Sequence, residues 1–406
     1  MKVKIGMILD SEYPHIRVEL EAKALVNSGY KVYILCKGAL GEPVEENING
    51  IEVVRVITNS NISKLGKIIN SFIFYNPLWG KAISKFIDTY KIDILHIHNL
   101  PLAGTGIKIA KEKGIPVIID LHENYPAAYQ VWFELVKGLK GFLIRNIVLN
   151  YQRWTNFEAI ACKRADKIIT VVEEMKERIK EKHKLDEDKI IVITNTEEKA
   201  FVNNSNLDYS LINRYKSKFV ISYIGGFGPH RGVDTAIKGM PYIKDKIPNL
   251  LLLLVGKGSG EIEEYYRTLV KNLKLEDSVE FVGWQPFNKV YTYICLSNIC
   301  IVPHNKNEHT DHTVPYKLFQ YMMVGKPVIV SDCKPLKRIV EEIGSGLIFK
   351  AGDPSSFAEK VLEIYKNPKL GEEFGERGKE ATLYGIWNWE ETSKSLIKLY
   401  SNPYQE

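Results

Sequence analysis

The most informative stretch of the chain reads Thr313-Val-Pro-Tyr-Lys-Leu-Phe-Gln-Tyr-Met-Met-Val-Gly-Lys-Pro-Val-Ile-Val-Ser-Asp332. Pro315 suits the first turn of a helix, because its missing N–H would be unpaired there anyway. Gly325 suits the left-handed position just past a helix end. The apolar run that follows, residues 328–330, is typical of a buried strand. The stretch therefore predicts a short helix before a strand, with its first N–H groups able to hold an anion.

Strand-like apolar runs alternate with helical patterns along the whole chain, which predicts α/β domains with parallel sheets. A polar segment at 200–217 is predicted to be a linker, and 387–400 a final amphipathic helix. Strands are predicted at 3–9, 31–36, 53–56, 94–97, 116–120, 167–172 and 190–194 in the first half, and at 219–224, 250–255, 279–282, 299–302, 327–330 and 346–349 in the second.

Length and composition narrow the class of protein. The chain has 406 residues, 45% of them hydrophobic, which is enough for two domains with full cores. It has no apolar run of the length, roughly 18 residues, that a transmembrane helix needs. The first nine residues are predicted to form a strand rather than a signal peptide. Five cysteines, odd in number and without metal-ligand spacing, favour a reduced, cytoplasmic setting.

Positive charge is concentrated in one region. The net charge is +6, and residues 60–165 carry fourteen Lys and Arg against seven Asp and Glu. Trp79, Trp132 and Trp154 lie within that region. Basic residues interleaved with aromatics indicate either peripheral contact with an anionic membrane surface or ordinary core helices with solvated lysines. No recognition motif accompanies the charge, so no nucleic-acid partner is expected.

Two glycine-rich turns follow predicted strands of the second half. Gly225-Gly-Phe-Gly-Pro-His-Arg-Gly232 follows the first, and Gly256-Lys-Gly258 follows the next. Glycines let the backbone approach a ligand closely, and Arg231 adds the charge-assisted donor that phosphate needs. Together with the helix that starts near Pro315, these turns predict a diphosphate site. The alternative is a pair of tight turns with Lys257 in solvent.

In the first half, His122 lies just past the strand predicted at 116–120. It could act as an acid, a base or a hydrogen-bond partner near neutral pH, or be a structural histidine bonded to a loop carbonyl. His96 and His98 share one face of another strand. No third ligand is spaced for zinc, so no metal site is expected. Asp186-Glu-Asp188 is interpreted as a solvated loop.

These pieces, in this order, resemble the family 4 retaining glycosyltransferases with a GT-B fold. Beside the opening stretch, the segments that carry the resemblance are Asp93-Ile-Leu-His-Ile-His-Asn99, Asp120-Leu-His-Glu-Asn-Tyr-Pro126, Arg164-Ala-Asp-Lys-Ile-Ile-Thr-Val171, Tyr223-Ile-Gly-Gly226, Val255-Gly-Lys-Gly258 and Phe281-Val-Gly-Trp284. The resemblance implies two Rossmann-like doubly wound domains facing across a cleft. Residues 1–205 would bind the acceptor and 206–385 the nucleotide-sugar, and 386–406 would cross back to the first domain.

The same resemblance implies a reaction. A sugar would move from a UDP- or GDP-linked donor to a glycan or lipid-linked acceptor, with retention of configuration and without a metal or other cofactor. Cell-surface glycan or glycolipid synthesis, in the cytoplasm at the inner face of the membrane, is the expected setting. Two alternatives stay open: a nucleotide-sugar 2-epimerase with Glu123 as one of two carboxylates, and a non-catalytic subunit that binds the nucleotide-sugar.

The resemblance also implies a role for individual residues at the donor site. His122 would contact the donor sugar and the developing charge, and Arg231 would hold phosphate. Gln320 would bond the ribose, and the turn that ends in Trp284 would lie by the base. The full set of implied donor-binding residues is Gly225, Gly226, Lys257, Gly283, Trp284, His312, Thr313, Val314, Lys317 and Gln320.

The chain departs from the family pattern at three places. The family's two glutamates, seven residues apart, appear here as His312 and Gln320, with Glu308 or Asp311 as substitutes for the first. Phe227 stands where an arginine is often found, and Lys257 or Lys317 would compensate. The loop after the first strand is replaced by Asp10-Ser-Glu-Tyr-Pro-His-Ile-Arg17, so His15 and Arg17 are expected to face the acceptor or the diphosphate.

Overall fold

The chain forms two compact α/β units. The computed structural model describes residues 2–58, 60–134, 138–203 and 206–401. Unit 1 comprises Met1–Thr194 and Ser393–Glu406, and unit 2 comprises Asn195–Thr392. The predicted boundary at 205 lies outside the described residues. The predicted boundary at 385 falls within unit 2.

Unit 1 is built on an eight-stranded sheet. Its strands are β1 (Lys4–Glu12), β2 (Lys31–Gly38), β3 (Glu45–Ile48), β4 (Ile51–Ile57), β5 (Ile94–His98), β6 (Val117–Leu121), β7 (Lys167–Thr170) and β8 (Ile190–Val192). Its helices are α1 (Ile16–Asn27), α2 (Ser60–Ile73), α3 (Pro77–Tyr90), α4 (Ala103–Lys113), α5 (Tyr125–Trp132), α6 (Gly138–Leu143), α7 (Tyr151–Arg164) and α8 (Glu173–His183). A π-helical turn, Ile144–Val148, precedes α7.

The strand order in unit 1 is β3-β4-β2-β1-β5-β6-β7-β8. All neighbours pair in parallel except β3, an antiparallel edge strand that the sequence did not predict. The chain winds one way from β1 to β4 and the other way from β5 to β8, so the order reverses between β1 and β5. Ligands of such sheets bind at the carboxyl ends of the strands beside the reversal. Every residue of β5 and β6 is buried, as expected for a sheet covered on both faces.

Unit 2 has a six-stranded, all-parallel sheet with the order β11-β10-β9-β12-β13-β14, which reverses between β9 and β12. Its strands are β9 (Phe219–Ile224), β10 (Leu250–Val255), β11 (Val279–Gly283), β12 (Ile299–Val302), β13 (Val328–Ser331) and β14 (Gly346–Phe349). Its helices are α9 (Ala200–Asn203), α10 (Tyr209–Tyr215), α11 (Val233–Gly239), α12 (Gly260–Asn272), α13 (Phe287–Cys295), α14 (Tyr316–Met323), α15 (Lys334–Ile343), α16 (Pro354–Lys366), α17 (Pro368–Leu383) and the start of α18 (Trp389–Ser401).

The predicted linker at 200–217 contains structure, so that prediction is wrong for its described residues. Helix α10 is capped by the Asp208 carboxylate, which accepts from the N–H groups of Ser210 and Leu211. Tyr215 is buried and its hydroxyl donates to Glu280 at 2.9 Å. The segment has few apolar residues and they are spread out, which is why its sequence predicts a linker. Two of them, Phe201 and Tyr215, are nevertheless buried.

Other local signals worked as the chemistry predicts. Pro315 lies directly before the first residue of α14, one position earlier than predicted, and Gly325 follows the end of the helix with a φ of 79°. The Asp353 carboxylate caps α16. Helix α18 ends in unit 1, where the Tyr400 hydroxyl lies 2.7 Å from Nδ1 of His96. Among the described residues, no helix combines the length and the apolar composition needed to cross a bilayer.

Candidate functional site

In unit 1, His122 lies at the point where the strand order reverses. His98 ends β5 and pairs in register with Asp120 on β6, and His122 follows β6 directly. His122 Nε2 lies 2.9 Å from Asp120 Oδ2 and 3.2 Å from His98 Nδ1. Asp120 and His98 are fully buried, whereas His122 keeps 7% exposure. The carboxylate therefore orients His122 from below and leaves its outer edge next to solvent.

Arg17 lies beneath the same cluster and does not face a ligand. Its Nε and Nη2 donate to the two oxygens of Asp120 at 2.7 and 3.0 Å, and Nη2 lies 3.0 Å from Glu21 Oε1. Nη1 donates to the carbonyl of Ile193 at 2.9 Å. With 1% exposure, Arg17 cannot reach an acceptor or a diphosphate, so that expectation is wrong. His15, whose ring centroid is 5.6 Å from that of His122, remains at the edge of the cluster.

The charges of the unit 1 cluster compensate one another. Burial would raise the pKa of Asp120, but Arg17 and His122 hold it well below its usual range. Burial and the neighbouring Asp120 raise the pKa of Glu21 well above its usual value. Burial lowers the pKa of His98 to about 4 and that of His122 below its ordinary value. One guanidinium thus faces one ionised carboxylate, and the surrounding groups stay neutral.

His96 and His98 lie close to two further side chains that could act as metal ligands, which their spacing in the sequence did not indicate. Glu21, His96, His98 and Asp120 bring ligand atoms within 4.8 Å of one another. Only the fold unites them, because α1, β5 and β6 are far apart in sequence. The Arg17 guanidinium already binds both carboxylates, and its permanent positive charge opposes a cation there. The absence of a metal site remains a prediction.

In unit 2, the two glycine turns interlock beside the reversal of that sheet. Gly225 has a φ of 135° and Gly256 a φ of 147°, a region closed to most side chains. The Gly225 N–H donates to Val255, and the Phe227 N–H donates to the Lys257 carbonyl at 2.9 Å. A Cβ at Gly256 would lie 2.0 Å from the Gly225 oxygen. These contacts require glycine and leave an open backbone surface at Gly226, which is exposed.

Two cations border these turns. Lys317 Nζ is buried 3.7 Å from the centroid of the Tyr223 ring, and a Cβ at Gly225 would lie 2.5 Å from it. Arg231 Nη1 donates to His304 Nε2 at 3.2 Å. Within the described residues, neither cation forms an ion pair with a carboxylate. Burial and Arg231 together hold the pKa of Lys317 well below its usual value.

Three neutral histidines surround Arg231. Burial and Arg231 lower the pKa of His230 to about 2 and that of His309 to about 3, and hold that of His304 well below its ordinary value. The rings of His230 and His309 are 5.0 Å apart. Because these histidines are uncharged and no carboxylate of the described residues pairs with Arg231 or Lys317, the site has the unneutralised charge of Arg231 and an excess of hydrogen-bond donors. Such a site suits an anion.

The other donor-binding residues implied by the resemblance differ in their exposure to solvent and in their backbone contacts. Gly283 ends β11 with a φ of 79°, and its carbonyl accepts from Gly256. The Lys257 side chain is exposed, and Trp284 is 69% exposed. The Val314 carbonyl accepts from Asn195 at 3.1 Å. Thr313, between His312 and Val314, is partly exposed.

His312 and its two proposed substitutes lie in different environments before the start of α14. His312 is buried, and its Nδ1 lies 2.6 Å from the carbonyl oxygen of Glu308. Asp311 caps α15 by accepting from Lys334 N at 2.9 Å. The Glu308 side chain is largely exposed. One oxygen of Asp311 thus holds the start of α15 and the side chain is partly exposed, so Glu308 and Asp311 as substitutes remain predictions.

The residue that the sequence did not indicate is Glu197. Gln320 Nε2 donates to Glu197 Oε2 at 2.7 Å, between groups 123 positions apart. Glu197 is 6% exposed and also accepts from the Glu198 N–H at 3.0 Å. Glu197 lies between the strand predicted at 190–194 and the linker predicted at 200–217, in a stretch for which the sequence predicted no element. The sequence does not show that Glu197 lies next to position 320, where the family pattern places a glutamate.

The fold, together with comparisons with known proteins, identifies a glycosyltransferase of the GT-B class. Two family models match in succession: Glycosyltransferase Family 4 over residues 16–196, and Glycosyl transferases group 1 over residues 211–381. Each match covers most of one α/β unit. The chain belongs to the family 4 glycosyltransferases.

Relatives and solved structures agree with this class. The chain is 27% identical over 331 residues to an uncharacterized glycosyltransferase of Methanocaldococcus jannaschii, covering 79% of this chain and 81% of the relative. It is similar in fold to sucrose-phosphate synthase of Thermosynechococcus elongatus, with a TM-score of 0.78, 19% identity and 98% of each chain covered. It is also similar to Anabaena HepE in complex with UDP-glucose, with a TM-score of 0.73, 12% identity, and 98% and 100% coverage.

Proposed function

We propose that the protein transfers a sugar from a nucleoside-diphosphate sugar to an acceptor with retention of configuration, without a metal at the diphosphate. The observation that carries the proposal is the pair of basic side chains, Arg231 and Lys317, beside two glycine turns, where no carboxylate of the described residues pairs with either. A UDP-linked donor is favoured because a protein of similar fold, HepE, has been crystallised with UDP-glucose. A GDP-linked donor is the alternative for the same site.

In the proposed reaction the leaving diphosphate gains negative charge as the glycosidic bond breaks. Preorganised donors aimed at that charge stabilise the transition state more than the ground state. Lys317 and Arg231 would supply these donors, while the exposed backbone at Gly226 would let the phosphates approach closely. By the family resemblance, His122 contacts the donor sugar, and Asp120 keeps its ring in one orientation.

A donor screen tests the function directly. The full chain is incubated with UDP- and GDP-linked sugars, and release of nucleoside diphosphate is measured together with thermal shift. We expect release with at least one donor, increasing when a glycan or lipid-linked acceptor is added. The absence of both release and thermal shift with every donor would refute the proposal. Interconversion of the sugar without an acceptor would instead identify an epimerase, and binding without turnover a non-catalytic subunit.

His122→Ala separates binding from chemistry. We expect transfer to fall at least about a hundredfold, the scale of one preorganised polar contact, while affinity for UDP or GDP stays within a few fold. The matched control is His183→Ala, which also removes a buried histidine bonded to a carboxylate, Glu158, at 2.8 Å. Loss of nucleotide affinity in His122→Ala, or equal loss of transfer in both variants, would contradict the assigned role.

We further propose that the acceptor is lipid-linked and that unit 1 contacts an anionic membrane surface. Trp79 and Trp154 are buried, so part of the basic aromatic region 60–165 is ordinary core. Residues 135–137 of that region lie outside the described residues. The rest includes apolar side chains that face solvent: Leu65, Ile68, Phe72 and Ile73 on α2, and Leu139, Phe142, Leu143 and Ile147 on α6 and the π-helical turn.

Arg153 joins these two exposed groups. Its Nη1 donates to the Val148 carbonyl at 3.1 Å, and its Nη2 donates to the carbonyls of Ser71 and Phe72. The end of α2 and the end of the π-helical turn are thereby held side by side. Exposed apolar side chains held together next to basic residues are typical of surfaces that insert into a membrane interface.

Vesicle co-sedimentation tests the membrane contact. Ile68→Glu/Phe72→Glu is compared with Tyr242→Glu/Tyr384→Glu, which changes two exposed apolar residues of unit 2. We expect the first variant to bind vesicles containing phosphatidylglycerol at least about tenfold more weakly, from the lost burial of two side chains. The control should bind like the wild type. Equal binding by all three proteins would refute the membrane proposal and leave the donor site unaffected.

A further inference from the structure

Helix α14 carries an amide, Gln320, and a carboxylate from another segment lies beside it. Gln320 stands where the family places a glutamate, and its amide donates to Glu197 at 2.7 Å. A carboxylate therefore still lies at this position of unit 2, but it enters from residues 195–199 and not from the helix. Gln320 and Glu197 are each almost fully buried, so the contact is fixed by its surroundings.

The Glu197 carboxylate has unused accepting capacity. Its two oxygens accept one bond each, from Gln320 and from the Glu198 N–H, whereas a carboxylate can accept roughly four. Burial raises the pKa of Glu197, and the bonds from Gln320 and Glu198 only partly oppose that rise. A further hydroxyl donor would therefore stabilise the ionised form.

Glu197 also borders a cavity within unit 2. The cavity has a volume of about 520 Å³, which is in the size range of small-molecule sites. Its lining includes Phe201 and Phe287, whose ring centroids are 5.7 Å apart, together with Asn206 and Asn288. Aromatic and amide side chains beside an acceptor for hydroxyl groups suit a nucleoside, which combines a flat base with a ribose.

The chain connects this cavity to the turn assigned to the base. Gly283 ends β11, Trp284 follows it, and Phe287 begins α13 at the cavity wall. A nucleotide whose diphosphate lies at Lys317 could thus place its nucleoside near both Trp284 and Glu197, because Lys317 and Gln320 are one turn apart on α14.

We propose that Glu197 is the residue that accepts hydrogen bonds from the ribose hydroxyls of the donor, and that Gln320 positions it. This inference rests on the proposed function, and it assigns the hydroxyl-recognising carboxylate to a residue outside α14. Gln320 then acts through Glu197, and the carboxylate that the family pattern places on α14 is supplied here by residues 195–199.

The experiment measures affinity for UDP, GDP and their 2′,3′-dideoxy counterparts by calorimetry. We expect the wild type to bind one ribonucleotide at least about tenfold more tightly than its dideoxy form, because a hydroxyl bonded to a charged acceptor is worth that much. In Glu197→Gln this preference should disappear through weaker ribonucleotide binding, with dideoxy affinity unchanged. In Glu197→Gln/Gln320→Glu, which exchanges the amide and the carboxylate, the preference should return.

The matched control is Glu390→Gln. Glu390 accepts from the Lys199 N–H at 3.1 Å, so it holds the same segment without bordering the cavity. If Glu197 only held the segment in place, Glu390→Gln would weaken binding equally and the hydroxyl preference would survive in Glu197→Gln. Either of these two results overturns the inference. So does a Glu197→Gln/Gln320→Glu variant that binds ribonucleotide and dideoxynucleotide equally well. That variant keeps the inference testable even if Glu197→Gln fails to fold. If the wild type binds UDP or GDP but the Glu197 inference fails, the proposed function still stands. If the wild type binds neither UDP nor GDP, both the inference and the proposed function are refuted.

Discussion

The two units each hold a cluster of charged and titratable side chains at the reversal of a parallel sheet, and the clusters are opposite in character. In unit 1, Arg17 is paired with Asp120 and Glu21, and the histidines around them are neutral. In unit 2, Arg231 and Lys317 pair with no carboxylate of the described residues. In unit 1 the positive charge is neutralised within the cluster, whereas in unit 2 no carboxylate of the described residues neutralises it.

The difference distinguishes structural charge from charge that serves a ligand. A buried ion pair with satisfied hydrogen bonds fixes geometry, and removing one member leaves an uncompensated charge. A buried cation without a partner costs stability and is retained where a ligand supplies the partner. Similar side chains at equivalent positions of two sheets therefore have different roles, and three experiments test this contrast.

The largest effect is expected from Arg17→Met, because it leaves the ionised Asp120 carboxylate buried without its cation and Glu21 without its hydrogen-bond donor. We expect the free energy of unfolding to fall by about 3–5 kcal/mol, measured by urea denaturation. The control is Lys23→Met, which removes a partly exposed ion pair with Glu19 and should change that free energy by less than about 1 kcal/mol. Similar values for the two variants would show that the unit 1 cluster is not a structural unit.

Lys317→Met should have the opposite signature. We expect affinity for UDP or GDP to fall about tenfold to a hundredfold, the value of a hydrogen bond to a charged group. The free energy of unfolding should stay the same or rise by up to about 1 kcal/mol, because a buried amine without a partner is replaced by an apolar chain of similar length. A loss of stability as large as that of Arg17→Met would make the two clusters alike and contradict the contrast.

The smallest effect is a dependence of nucleotide affinity on pH. Burial and Arg231 hold the pKa of Lys317 well below its usual value in the free protein, and a bound diphosphate would raise it. Binding then takes up a proton, so affinity is highest below the free-state pKa of Lys317. It falls by up to about tenfold per pH unit as the pH rises toward the bound-state pKa. Calorimetry in buffers of different ionisation enthalpy measures the uptake.

The control for this effect is the same pH series in Lys317→Met. The ionisation of the nucleotide itself and of other groups remains in that variant, so only the contribution of Lys317 disappears. Identical pH profiles for the two proteins would show that Lys317 does not exchange a proton with solvent when the diphosphate binds.

Local signals gave most of the fold and part of the site. Pro315 and Gly325 mark the two ends of α14 through their own backbone chemistry, and the glycine turns follow from the conformations that Gly225 and Gly256 must adopt. The edge strand β3 was missed because Glu45–Ile48 is exposed and polar at most positions. The helices at 200–217 were missed because their packing depends on partners elsewhere in unit 2, such as Glu280.

The same division holds for the site residues. The sequence by itself determined the two α/β halves, the turns that approach phosphate and the position of His122, because each depends on residues adjacent in the chain. Only the tertiary structure decided that Arg17 is an internal counter-ion, that His96 and His98 lie beside two carboxylates, and that Glu197 meets Gln320. Electrostatic interactions act through space, so the partner of a charge is set by how strands and helices pack and not by distance along the chain.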